Sequence, residues 1–187
     1  MKQDTRDALL SEAEELMRTR GYAAFSYADL ATKVAIRKAS IHYHFPTKEA
    51  LGLTVVGNYL ENFEKNLTAI KSDQGDVIER LKAYAQFFAL SVKSDCLPLC
   101  GALAAESRSL PESMRERTRD FFRLHVNWLT DVVAEGVSAG TLKADIDPRQ
   151  VALLILSVLE GASLVGWVLD DAPVGPTLEA VLDSLRR

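Results

Sequence analysis

Residues 26–48 read SYADLATKVAIRKASIHYHFPTK, and this stretch decides the fold of the chain. Ser26 is a favourable N-cap for a first short helix. The apolar residues that follow recur at the spacing of one helical face: Leu30, Ala31 and Val34. Residues 35–37 interrupt this pattern, and a second short helix over residues 38–44 is predicted to end at Pro46.

The second short helix indicates a nucleic-acid partner. It would bury Ile41 and Phe45, and it leaves hydrogen-bonding and aromatic side chains together at one end: Arg37, Lys38, Ser40, His42, Tyr43 and His44. Between residues 18 and 48 six Lys and Arg residues accompany a single acid, Asp29. Such a local positive excess in an acidic protein is typical of polyanion binding, and paired short helices suit insertion into a DNA major groove.

The sequence here also resembles a known family. Residues 29–51, DLATKVAIRKASIHYHFPTKEAL, are similar to the helix-turn-helix signature of the TetR/AcrR family of bacterial transcriptional regulators. The recognition helix of that family ends in an aromatic-rich run, and the match extends to Phe45, Lys48 and Leu51. The resemblance covers about the first fifty residues. It implies a three-helix DNA-binding headpiece followed by a helical body for ligand binding and dimerisation.

Several positions depart from the family pattern. Ala35 stands where a turn glycine is common, and Arg37 stands where Ser or Thr caps the recognition helix. Ala39 replaces a frequent Gly, and His42 replaces the first aromatic residue. The operator sequence therefore cannot be inferred from that of a relative.

The DNA contacts expected from this reading fall into two groups. Base edges would be read by Arg37, Lys38, Ser40, His42 and His44, with Ala39 on the same helix. Phosphates would be contacted by Thr5, Ser26, Tyr27, Tyr43 and Lys48. Lys48 would lie in the first turn of a helix, where a positive charge opposes the helix dipole unless an anion compensates. A phosphate would do so, and a solvated lysine is the alternative.

Composition divides the chain into a headpiece and an acidic body. The 187 residues are 48% hydrophobic with a net charge of −4. Residues 1–50 carry eight basic and seven acidic groups, whereas residues 51–187 carry fourteen and nineteen. We predict a DNA-binding domain over residues 1–46 and a ligand-binding and dimerisation domain over residues 47–187. Helical periodicity throughout predicts an all-α fold of about nine helices.

The two C-terminal helices are predicted to form a homodimer. Residues 151–169 are long and apolar enough to span a bilayer. Glu160 near their centre would cost roughly 2.5–3.5 kcal/mol there, so a helix buried on both sides in a soluble dimer is favoured. Residues 178–185 add a further apolar stripe, and two-fold pairing would make a four-helix bundle. Residues 1–10 lack a secretory signal, and two cysteines without a disulfide framework fit a reducing compartment. We therefore expect a cytoplasmic protein with no membrane partner.

The body offers candidates for binding a small-molecule effector. By base rate its aromatic residues are mainly core, but some would line an apolar pocket with few polar anchors. The candidates are Tyr59, Phe63, Tyr84, Phe88, Cys100, Glu106, His125, Trp128 and Trp167. His125 is either a hydrogen-bonded core histidine or a polar group of the pocket. Cys96 and Cys100 are expected to be structural, with an electrophile-sensing thiol as the alternative.

An enzyme is the rival interpretation of an all-helical chain. The chain has no nucleophile elbow, glycine-rich phosphate loop or zinc spacing, so we expect no catalytic residues, metal or cofactor. The sequence therefore predicts a dimeric repressor that binds a palindromic operator and is released by a small apolar or reactive molecule. The alternative is an all-helical small-molecule-binding protein or enzyme without DNA binding.

Overall fold

A computed structural model of the chain describes residues 2–169 and 174–186, with side chains from Thr5 onward. Within those residues all regular structure is α-helical, apart from one isolated backbone bridge between Leu142 and Arg186. The predicted all-α class and the predicted number of helices are therefore confirmed. The helices are α1 (Lys2–Thr19), α2 (Tyr27–Val34), α3 (Lys38–His44), α4 (Lys48–Asp73), α5 (Val77–Lys93), α6 (Leu99–Ala105), α7 (Glu112–Ser138), α8 (Pro148–Leu169) and α9 (Val174–Leu185).

Two helix boundaries in the body differ from what the sequence pattern predicts. The apolar stripe from residue 51 onward predicts a helix that ends near residue 70, but α4 continues to Asp73, because the signals that end it lie in residues 74–76. Residues 174–176 predict a break before the last helix, but α9 already begins at Val174, and Pro176 fits its first turn. The start signal at residues 147–148 predicts a helix to about residue 171, and that end lies outside the described residues.

Local signals around α2 act as the sequence predicted. The Ser26 hydroxyl accepts hydrogen bonds from the backbone N–H groups of Ala28 and Asp29, and the Asp29 carboxylate accepts one in return from the Ser26 N–H, which completes a capping box. At the other end Ala35 adopts the left-handed conformation (φ 55°, ψ 42°) and directs its N–H to carbonyls of the last turn. This single residue sets the turn into α3.

Contacts divide the chain into two compact units. Unit 1 comprises Met1–Glu61 and Leu99–Phe121, and unit 2 comprises Asn62–Pro98 and Phe122–Arg187. Helices α4 and α7 each begin in unit 1 and end in unit 2. The domain boundary predicted after residue 46 divides the sequence once, whereas each compact unit is built from two separate segments of the chain. The predicted boundary stays a prediction.

Unit 1 packs the two short helices onto a common core. Helix α1 contacts α2 and α6, and α2 contacts α3. Ile41 of α3 is fully buried, Phe45 is 3% exposed, and Leu30 of α2 is fully buried beside them in the same cluster. The Tyr27 hydroxyl donates to the Phe45 carbonyl at 2.9 Å, which joins the start of α2 to the end of α3. Burial raises the pKa of Tyr27 to about 12.

Unit 2 contains an aromatic cluster around a buried histidine. His125 is 1% exposed and stacks on Phe63 with ring centroids 4.3 Å apart. Its Nδ1 shares a hydrogen bond with the Tyr84 hydroxyl, and Tyr84 stacks on Trp128 at 5.3 Å. Burial lowers the pKa of His125 to about 3, so the ring is neutral at physiological pH. These contacts fit the expectation of a hydrogen-bonded core histidine.

Helix α8 is apolar on two opposite faces. Its inner face is buried in unit 2, where it packs on α5 and α9. Its outer face remains exposed although it is rich in leucine and valine: Leu153, Leu154, Leu164, Val165, Val168 and Leu169. By length and composition α8 could cross a membrane, but 44% of its most apolar window is buried inside the protein.

Glu160 lies in this apolar helix. Its Oε1 atom is buried and accepts no hydrogen bond from the described residues. Burial raises the pKa of Glu160 to about 7, because the charged form is poorly solvated there.

Ala35→Gly is expected to stabilise the protein by about 1 kcal/mol, because alanine pays a steric cost in the left-handed region that glycine avoids. Chemical unfolding monitored by circular dichroism measures this. Ala69→Gly is the matched control, since Ala69 is also exposed but lies inside α4, and it should lose roughly 0.5–1 kcal/mol. Equal losses at both positions would contradict the assigned turn.

Glu160→Gln is expected to change how stability depends on pH. Between about pH 4.5 and 7 the folded protein keeps the Glu160 proton that the unfolded chain releases, so stability falls as pH rises through this window. The wild type should therefore lose about 1–3 kcal/mol relative to Glu160→Gln between pH 5 and 8, at about 1.4 kcal/mol per pKa unit.

Unfolding free energies measured across this range test the difference between the two proteins. The depressed pKa of His125 acts oppositely, since it removes stability as pH falls from 6.5 toward 3, but it is common to both. The exposed Glu61→Gln serves as the control. Parallel curves for wild type and Glu160→Gln would rule out a buried, protonated carboxyl.

Candidate functional site

Helix α3 presents a compact exposed surface in unit 1. Its inner residue, Ile41, anchors it in the core, and the left-handed turn at Ala35 determines where it starts. Tyr43 is 72% exposed, which is exceptional for an aromatic residue in this chain. The exposed members of the predicted DNA-binding set on this surface are Arg37, Lys38, Ala39, Ser40, His42 and Tyr43.

The N-terminal end of α3 carries the charge. Arg37 occupies the N-cap position with extended backbone and forms no side-chain capping hydrogen bond. Lys38 follows directly, and no acid lies in the first turn. Because neither residue caps the helix, both long cationic side chains are able to reach base edges or phosphates.

His42 is held in one orientation by its neighbours. Its ring lies edge-on to Tyr27 at a centroid distance of 4.9 Å, and Nδ1 is 3.2 Å from the Pro46 carbonyl oxygen. We assign the proton to Nδ1, because a carbonyl can only accept a hydrogen bond. In the neutral ring Nε2 is then an acceptor, which suits a cytosine or adenine amino group.

Two predicted phosphate contacts use their hydroxyl groups internally. The Ser26 hydroxyl donates to Asp29 Oδ2 at 2.6 Å besides capping α2, and these hydrogen bonds lower the pKa of Asp29. The Tyr27 side chain is 6% exposed, with its hydroxyl on the Phe45 carbonyl. Thr5 of α1 and His44 of α3 are half-buried, and the His44 ring contacts Tyr43 edge-on at 5.3 Å.

Lys48 is more enclosed than the sequence suggested. Its ammonium donates to the Phe25 carbonyl at 2.5 Å and lies over the rings of Tyr22 and Phe25, at 4.5 and 4.4 Å from their centroids. Burial lowers the pKa of Lys48, while the carboxylates of Glu106 and Asp29 oppose that effect. Of the two roles considered, free solvation does not describe this lysine.

In this region sequence reasoning missed Arg6 and assigned Glu106 to effector binding instead. The Arg6 guanidinium lies 5.2 Å from the centre of the Phe45 ring, at the end of α3. Glu106 accepts a hydrogen bond from the Ala23 N–H at 3.0 Å, across 83 residues of sequence. No local pattern reports a contact of that separation.

The structure brings together five of the predicted effector-binding residues in unit 2. Phe88 lies 5.5 Å from Tyr84 between ring centroids and joins the cluster around His125. Trp128 also lines a groove of about 580 Å³ between α4 and α7. Volumes of 300–1,000 Å³ are typical of small-molecule sites. The groove is lined by Glu64, Leu67, Thr68, Lys71, Ser72, Leu124 and Trp128.

The other four candidates lie elsewhere. The Trp167 indole N–H donates to the Asp95 carboxylate at 2.9 Å. Neither residue takes part in the contacts described above for the His125 cluster. Tyr59, Cys100 and Glu106 belong to unit 1. Cys100 is fully buried and Cys96 is 8% exposed, and neither forms a disulfide. Within residues 2–169 and 174–186 no group of three or more His, Cys, Asp or Glu side chains could hold a metal ion.

Comparison with known proteins identifies the family. Residues 9–54 match the family model described as bacterial regulatory proteins, tetR family, and residues 77–174 match the tetracyclin repressor-like C-terminal domain. The chain is 28% identical over 167 residues to the transcriptional repressor NemR of Escherichia coli K12, covering 86% of this chain and 83% of NemR.

Solved structures agree with this assignment. A TetR-family transcriptional regulator from Agrobacterium tumefaciens superimposes with a TM-score of 0.94 at 30% identity, over 100% of both chains. The reduced form of E. coli NemR superimposes with a TM-score of 0.83 at 25% identity, over 97% of both chains.

These matches cover an N-terminal helix-turn-helix domain and a C-terminal helical domain, which implies DNA binding, an effector-responsive C-terminal domain and no enzymatic activity. The chain belongs to the TetR family of bacterial DNA-binding transcriptional regulators.

Proposed function

We propose that this regulator is a repressor that binds a palindromic operator as a homodimer and leaves it when a small molecule binds unit 2. The observation that supports this most directly is the exposed surface of α3. Arg37, Lys38 and Ser40 are exposed at the start of this helix, and the buried Ile41 anchors it in the core. A repressor of this kind acts on the chromosome, so we place it in the cytoplasm. The E. coli relative NemR is described as a repressor.

The reading surface divides by chemistry. Arg37 and Lys38 can donate to guanine O6 and N7, and Ser40 and His42 supply shorter hydrogen-bonding groups. His44 is half-buried and would contact bases only at the edge of this surface. Tyr43, Thr5 and Lys48 would position the protein on phosphates, together with the backbone of the Ser26–Tyr27 helix start.

Dimerisation would use the outer face of α8 and the adjacent face of α9. Leucine and valine recur on α8 at positions 153, 154, 164, 165 and 168. The small residues Ser157 and Gly161 lie between them on the same face, so the face forms one continuous stripe. Such a stripe is costly in water and is self-complementary about a two-fold axis. Pairing would hold two α3 helices about 34–36 Å apart, or a multiple, as successive major grooves require.

The effector would bind in unit 2, near the Tyr84–His125–Trp128 cluster and the groove beside it. Stacked aromatic rings and one neutral imidazole favour a small apolar or reactive molecule. The groove has apolar side chains in its lining, Leu67, Leu124 and Trp128, and it carries the charged side chains Glu64 and Lys71. A hundredfold loss of operator affinity on binding requires only about 2.7 kcal/mol of coupling.

Arg37→Ala is expected to relax base preference at one position of each half-site, by about 1–3 kcal/mol, because a bidentate contact to guanine is lost. Fragments that the wild type selects from genomic DNA, and their single-base variants, provide the probes for fluorescence anisotropy. Arg108→Ala is the matched control, since it removes an exposed arginine of unit 1 outside α3. The same preference profile for both variants would argue against base reading by Arg37, and a wild type that selects no duplex would refute the proposed function.

Leu164→Glu is expected to convert the dimer to monomers and to weaken operator binding strongly, because a carboxylate would be buried in the apolar interface. Leu90→Glu is the control: Leu90 is 57% exposed and Leu164 53% exposed, but Leu90 lies on α5. Analytical ultracentrifugation measures the mass of each protein. A monomeric wild type, or a Leu164→Glu variant as dimeric as the control, would exclude this interface.

A further inference from the structure

The turn between α1 and α2, residues 20–26, is held by one carboxylate and one ammonium group from distant parts of the sequence of unit 1. Glu106, which follows α6, accepts a hydrogen bond from the Ala23 N–H through Oε2 at 3.0 Å. Lys48, at the start of α4, donates to the Phe25 carbonyl at 2.5 Å. A backbone donor and a backbone acceptor of the same turn are thereby satisfied by charged partners.

Gly21 makes room for the Glu106 carboxylate. Its φ of +88° lies in the left-handed region, and a methyl group on its α-carbon would overlap Oε1 of Glu106. The two oxygens of Glu106 therefore have separate neighbours, since Oε1 lies against Gly21 while Oε2 binds Ala23. The turn is shaped around this side chain.

A short series of contacts leads from Glu106 to α3. The held turn runs directly into Ser26, which caps α2. Tyr27, the next residue, donates to the Phe45 carbonyl at the C-terminal end of α3. A shift of the turn would therefore displace the start of α2 and the end of α3 together.

We propose that Glu106 is a positioning residue for DNA binding, whose carboxylate holds the α1–α2 turn so that α2 and α3 keep the arrangement that fits the groove. The sequence had suggested an effector-binding carboxylate, but both oxygens of Glu106 are directed at the headpiece turn. The proposal rests on DNA binding by the headpiece, which the wild-type protein tests in the same titration.

The direction in which DNA affinity changes distinguishes a positioning role of Glu106 from a general electrostatic effect. Glu106→Ala removes a negative charge, so electrostatics alone would strengthen binding to DNA. Loss of a positioning hydrogen bond would instead weaken DNA binding, by roughly 3- to 10-fold for one hydrogen bond of ordinary strength. Glu106→Gln keeps an oxygen acceptor for Ala23, so it should retain affinity close to the wild type.

The experiment measures dissociation constants over a range of salt concentrations, with a duplex that the wild type selects from genomic DNA. The control is Glu112→Ala, which removes an exposed carboxylate of unit 1 that pairs with Arg115 and Arg119 of the same helix. We expect weaker binding for Glu106→Ala, near-normal binding for Glu106→Gln, and equal or tighter binding for Glu112→Ala. The salt dependence of Glu106→Ala should match the wild type, because Glu106 would contact no phosphate.

Three outcomes would overturn the proposal. Affinity of Glu106→Ala equal to that of Glu112→Ala would show that the hydrogen bond does not matter for binding. A loss explained entirely by a smaller folded fraction, measured by thermal unfolding of the same samples, would reduce Glu106 to a stability role. A Glu106→Gln variant as weak as Glu106→Ala would show that an oxygen acceptor for the Ala23 N–H is not what positions the helices. If the wild type binds no duplex, the proposed function fails instead.

Discussion

Burial of Ile41 is the constraint on which the DNA-binding surface depends. Helices α2 and α3 span eight and seven residues, which is too short to be stable in water without tertiary packing. Ile41 and Leu30 are both fully buried in the core of unit 1, together with residues of α1, α4, α6 and the start of α7. The exposed cations of α3 are therefore presented by a helix whose existence depends on its apolar side.

The polar contacts around this core reach α2 and α3 from several parts of the chain. The capping box begins α2, the Tyr27 hydroxyl joins α2 to the end of α3, and Lys48 and Glu106 hold the preceding turn. Each of these contacts restrains the backbone at an end of α2 or α3 or in the turn before α2. A regulator that reads base edges needs this, because hydrogen bonds to bases depend on orientation within a narrow range.

The body combines two kinds of apolar surface. Inside unit 2, His125 is kept neutral by burial among aromatic rings, and Glu160 is pushed toward its protonated form. Outside, α8 leaves leucine and valine in water, although the opposite face of the same helix is core. A helix with core on one side and an exposed apolar stripe on the other explains why residues 151–169 resemble a membrane span in composition.

The sequence by itself determined the class of fold and the start of most helices. Helical periodicity, N-caps and prolines act within one or two turns, so Ser26, Thr47 and Asp147 are recognisable in the sequence as N-caps. In the structure the Thr47 hydroxyl accepts a hydrogen bond from the Ala50 N–H, and the Asp147 carboxylate accepts one from the Arg149 N–H. The basic stretch and its family signature likewise identified α3. Helix ends were predicted less closely, since α4 continues to Asp73, three residues beyond the end that its apolar stripe predicts.

Only the tertiary structure decided which side chains share a site. Lys48 and Glu106 are 58 residues apart in sequence yet act on one turn, and neither amphipathic spacing nor composition reports such a pairing. The predicted effector set likewise separated into the His125 cluster, the Trp167–Asp95 contact and residues of unit 1. Local patterns follow from the chain's own geometry, whereas contacts between distant residues depend on how the helices pack.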